Sequence, residues 1–97
     1  MDQIKYSTRS GVVDVKEACS KWEEELFSLL IADKETYLPG NPIEFEHEAN
    51  DDVRTVTAKV YALKDIGVID SNECKLLVNK FYEVETNYVK SKVKEVS

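Results

Sequence analysis

The chain has little that punctuates a fold. Its 97 residues include only three glycines and two prolines, whereas a sandwich or barrel needs a turn signal about every 8–12 residues. A few long elements are expected instead. No apolar run approaches the roughly 18 residues that suggest a membrane span. Asp2 stands where a secretory leader would place basic and then apolar residues, so the expected location is cytoplasmic. Cysteine is equally scarce: Cys19 and Cys74 form a single pair, and each falls on an apolar helical stripe. Two buried free thiols fit that placement better than a disulfide framework.

Positive charge is also in deficit. Thirteen Lys and Arg face 19 Asp and Glu, for a net charge of −6, and an acidic surface repels phosphate backbones and anionic membranes. Nucleic acid and membrane are therefore excluded as expected partners. The negative field is uneven. Residues 1–41 and 42–66 each carry −3, whereas residues 67–97 are neutral.

What is present is helical periodicity. With 42% hydrophobic and 33% charged residues, the composition suits one folded domain near the lower size limit for a self-sufficient core. Residues 1–13 hold Ile4 and Tyr6 on an alternating face with no partner strand evident later. They read as an extended arm ahead of a helical domain spanning 14–97.

The expected architecture is all-α, a small antiparallel three-helix bundle with helices at about 14–32, 42–66 and 70–93. In the first, Asp14 with Glu17 supplies an acidic cap. Val15, Ala18, Cys19, Trp22, Leu26, Leu29 and Leu30 follow on one face, and the pattern fades near Ala32 and Asp33. Tyr37-Leu-Pro-Gly40 is a connection. Asn41-Pro42-Ile-Glu44 then opens the second helix with a cap, a proline at N1 and an acid at N3. Phe45, Ala49, Val53, Val56, Val60 and Leu63 continue it at intervals of three and four. A rival reading makes 43–47 a short strand, and the β-branched Val53, Thr55, Val56, Thr57 and Val60 keep that rival open.

Gly67 closes the second helix, and Asp70 with Glu73 caps the third. The third helix is apolar over a wide arc. Cys74, Leu77, Phe81, Val84 and Tyr88 form one stripe, with Val78, Tyr82 and Val89 beside it. The bounds make the first helix the shortest, which leaves an overhang for the arm, the Tyr37–Leu38 loop or a second copy of the chain to cover.

No motif of catalysis or cofactor binding is present. Glu44-x-x-His47 has the spacing of a metal-carboxylate bundle, but such a site needs two copies and further inward carboxylates. A metal-binding bundle therefore ranks last among the readings, and no cofactor or enzymatic activity is expected. Glu44, Glu46, Glu48, Asp51 and Asp52 are the distinctive group: five carboxylates in nine residues with no Lys or Arg between them. They exceed what a helix N-terminus needs for its dipole. They predict an acidic patch that docks the basic surface of another protein. Trp22, Tyr37, Tyr61 and Tyr82 are candidate aromatic anchors. Size and charge match inhibitors, immunity factors and accessory proteins of phages or mobile elements. The alternative is a homodimeric assembly protein that uses Tyr82 and Val89 on the apolar flank of the third helix.

Overall fold

The computed structural model describes residues 4–8 and 11–96. Two short strands, β1 (Lys5–Thr8) and β2 (Gly11–Asp14), precede three helices, α1 (Val15–Tyr37), α2 (Pro42–Asp65) and α3 (Ser71–Val96). The helices form the expected antiparallel bundle, 44 × 27 × 19 Å in extent. Central α2 packs against both α1 and α3 more extensively than those two pack against each other.

The expected arm is corrected in its described part. β1 pairs antiparallel with β2, with Lys5 opposite Asp14 and Thr8 opposite Gly11. The partner strand is thus the very next segment, where Gly11 takes φ +122° and Val12 and Val13 suit extended backbone. Residues 1–3, 9 and 10 of that arm lie outside the described residues. A two-stranded hairpin is marginal alone. This one is tied to α1 by a 2.7 Å hydrogen bond from the Val15 N–H to the Ile4 carbonyl, and Ile4 and Tyr6 pack against the core.

Helix starts follow from local chemistry. The Asp14 carboxylate accepts the Lys16 N–H at 2.8 Å, and the Asn41 side chain accepts the Glu44 N–H at 3.4 Å ahead of Pro42. At α3 the box is reciprocal: the Glu73 N–H donates to Asp70 at 2.8 Å, and the Asp70 N–H donates to Glu73 at 3.4 Å. The end of α2 is a Schellman motif. Gly67 sits at φ +80°, its N–H bonds the Lys64 carbonyl, and the Val68 N–H bonds the Leu63 carbonyl.

Two further expectations are corrected. α1 runs to Tyr37 rather than ending near residue 32: the half-buried Asp33, whose Oδ2 is buried, interrupts the apolar stripe without ending the helix. The three helices have 23, 24 and 26 residues, so their lengths are nearly equal and the expected overhang is absent. The rival strand at 43–47 is overturned: Asn41 and Pro42 start α2, and its helix runs through that segment.

The core runs along the facing stripes. Val15, Leu26, Leu30, Phe45, Ala49, Val53, Val56 and Val60 are fully buried, joined by Leu63, Ile69, Cys74, Val78, Phe81 and Val89. Each large apolar side chain removed from water contributes roughly 1.5–3 kcal/mol before the entropy of ordering is subtracted. Thr57 is buried too, and it stays satisfied because its hydroxyl donates to the Val53 carbonyl at 2.8 Å. No helix among the described residues is long and apolar enough to cross a membrane.

Candidate functional site

A helix turns about 100° per residue, so the acidic run of α2 wraps around its axis. Glu44, Glu48 and Asp52 recur every four residues on the side of α2 that meets α1, with Asp51 at their edge. Glu46 lies about 160° away from Glu48 by the same rotation, across the buried stripe of Phe45, Ala49 and Val53. The structure therefore brings four of the five expected patch residues together and sends the fifth toward α3, where its charge acts on Glu85.

The α1-facing group gains members that were not foreseen. Asp33 approaches Asp52 within hydrogen-bonding reach, and Tyr37 lies among Glu48, Glu44 and Asp33. The phenol of Tyr37 is pushed up first by the charge of Glu48, then by burial and by Glu44 and Asp33. Asp52 is pushed up to about 8, chiefly by burial, then by its bond to Asp33 and the charges of Asp33, Glu48 and Asp51. The ion pairs Lys59–Glu25 and Lys92–Glu95 do not reach this group. The result is a carboxylate ridge along the α1–α2 seam, and neither of those ion pairs compensates it.

The second seam of α2 has its own carboxyl. Glu85 is only 7% exposed, in register with Cys74, Val78, Phe81 and Val89 on the inner face of α3. Its carboxylate accepts a bond from the neighbouring Thr86 hydroxyl at 3.2 Å. Burial pushes its pKa up, the Thr86 bond opposes that, and Glu46 adds to it. Glu85 is absent from the expected inner stripe of α3 because an acid breaks an apolar pattern. The spacing 74, 78, 81, 85, 89 was the available signal.

The flank residues expected on α3 divide. Val89 is 7% exposed and belongs to the core, so it does not form a surface with Tyr82, which is half-buried against the same core. The exposed large apolar side chains are Val12, Ile31, Ile43, Tyr61, Ile66 and Leu76. Of the other aromatic candidates, Trp22 and Tyr37 are half-buried. On α3, Tyr88 packs edge-on to Phe27 of α1 at 6.0 Å, with the Lys92 ammonium 5.5 Å from its ring centroid.

His47 is exposed and borders a shallow depression with Ile43, Glu46 and Asn50. Among the described residues, no group of three or more His, Cys, Asp or Glu side chains could hold a metal ion. Cys74 is buried, and Cys19 lines a cleft of about 250 Å³ between α1 and α3 with Lys16, Glu23, Leu77, Lys80 and Phe81. Burial pushes the Cys19 thiol up, Lys80 pulls it back, and Glu23 adds to the rise. The thiol is therefore held away from the nucleophilic thiolate form.

Comparison with protein-family models, with curated proteins and with solved structures gives no match.

Proposed function

We propose that this chain is a small acidic protein-binding protein that docks the basic surface of a partner through the ridge along its α1–α2 seam. One observation carries the reading. Glu44, Glu48, Asp51 and Asp52 gather with Asp33 and Tyr37, and none of the ion pairs described touches them. Like charges held together raise the local field and steer cationic surfaces toward it. Glu46 belongs to the other side of α2 and is not part of the docking face. Inhibitors, immunity factors and phage accessory proteins are the functional class that suits an acidic bundle of this size.

The test is affinity capture from a lysate of the encoding organism, followed by association kinetics with whatever basic protein is captured. Reversing Glu44, Glu48 and Asp51 to Lys should slow association at least tenfold and flatten its salt dependence. Glu46→Lys should leave the rate near wild type. Equal rates for the triple variant and wild type would refute the docking face.

Self-association is the second reading, and two exposed apolar side chains support it. Ile66 and Leu76 are 70% and 69% exposed, whereas Val89 is enclosed. Light scattering across a concentration series separates this reading from docking.

A further inference from the structure

The α1–α2 seam holds two polar contacts of opposite kind. Glu25 of α1 and Lys59 of α2 form an ion pair at 2.6 Å. About two helical turns away, Asp33 of α1 meets Asp52 of α2. Both Oδ2 atoms there are buried, and neither has a hydrogen-bond donor. Two bare carboxylates so close repel each other and leave two buried acceptors unsatisfied. A single proton between them converts the contact into a short, charge-assisted O–H···O bond that serves both oxygens.

We propose that Asp33 and Asp52 close the α1–α2 seam by sharing one proton, and that losing this proton loosens the end of the bundle where α1 turns into α2. Each influence on Asp52 opposes its carrying a negative charge. Asp33 stands across the seam on α1, Glu48 and Asp51 flank Asp52 on α2, and no charge from α3 contributes. Burial favours the protonated form before any of these, and together they lift the Asp52 carboxyl from 3.8 to about 8. The switch therefore operates close to neutrality. It works in this way whether or not the ridge docks a partner.

The direction of the pH effect follows from proton linkage. The folded chain keeps a proton that the unfolded chain releases above its value of 3.8. The stability contributed by the pair is complete below about pH 4, falls as pH rises, and is gone once pH passes about 8.

The experiment combines urea unfolding from about pH 5 to 9, for wild type and Asp52→Asn, with carboxyl carbon NMR of the wild-type chain. The Asn amide can donate to Asp33 at every pH. Between about pH 5 and 7 the unfolding constant of wild type should therefore rise about tenfold per pH unit relative to the variant. In the NMR titration, one of the two carboxyls should change with a midpoint near 8. Amide exchange, corrected for its intrinsic rate, should lose protection across 33–52 above about pH 8 and keep it across 63–78.

Parallel pH profiles for the two proteins would overturn the proposal. So would carboxyls at 33 and 52 that both titrate near the usual value of about 4. If Asp52→Asn does not fold, the wild-type titration and exchange data decide the matter without it.

Discussion

At the end of the bundle where α2 gives way to α3, the closing turn and the cap have the hydrogen-bond partners their positions require. At the end where α1 gives way to α2, carboxyl groups face one another. The first end has Gly67 in its left-handed conformation, two closing hydrogen bonds from Gly67 and Val68, and the reciprocal Asp70–Glu73 box. The second end sets Asp33 against Asp52 in one seam of α2 and Glu46 toward Glu85 in the other. Both ends share one apolar core, so the contrast lies in polar chemistry alone. An end optimised for folding loses stability under almost any change. An end that stores like charge for another purpose gains stability when that charge is removed.

Away from the Asp33–Asp52 pair, the largest effect should come from Gly67→Ala. Nothing lies within 4 Å of an added Cβ there, so the loss is purely conformational. Holding a residue other than glycine at φ +80° costs about 1–2 kcal/mol. Urea unfolding should report that loss at every pH, because no titrating group is involved. A stability within about 0.3 kcal/mol of wild type would mean the motif is not what ends α2.

Glu85→Gln should act in the opposite direction. The amide keeps the shape of the side chain and removes a desolvated charge that faces Glu46. The folded-state pKa of Glu85 lies above its ordinary 4.5. Wild type is therefore most favoured below that value and loses ground as pH rises through the folded value. The variant should gain roughly 0.5–1.5 kcal/mol at pH 7 and nothing near pH 4. Urea melts at the two pH values check this, and a loss at pH 7 would place Glu85 among the stabilising groups.

The same contrast explains what could be read without coordinates. Gly67, Asp70 and Glu73 lie within one short stretch and act on their own backbone, so their roles follow from spacing. Asn41 and Pro42 do likewise, and the bounds of α2 were legible to within a residue. Asp33 meets Asp52, and Glu46 comes to act on Glu85, only after the helices assemble, and no local pattern announces a carboxyl turned inward. Asp33 even concealed the last turns of α1, since an acid at a core-facing position looks like the end of a stripe. The β-hairpin is hidden for a different reason: its second strand directly follows the first, so no distant apolar segment announces the pairing.

Lys59→Ala should have the smallest effect, and it tests whether the seam depends on its one conventional ion pair. Lys59 and Glu25 have side chains 39% and 43% exposed, so solvent screens most of their attraction and ordering two long side chains offsets more. Leu26, Leu30, Val53 and Val56 are fully buried along the same helices and hold them together regardless. The variant should lose about 0.2–0.8 kcal/mol at low salt and almost nothing in about 1 M salt. A double-mutant cycle with Glu25→Ala isolates the pair itself. A coupling well above about 1 kcal/mol would mean that this contact, rather than the core and the shared proton at Asp33 and Asp52, governs how firmly α1 and α2 close. In that case Asp52→Asn should change the seam little, and the contrast between the two ends would reduce to a difference in surface charge.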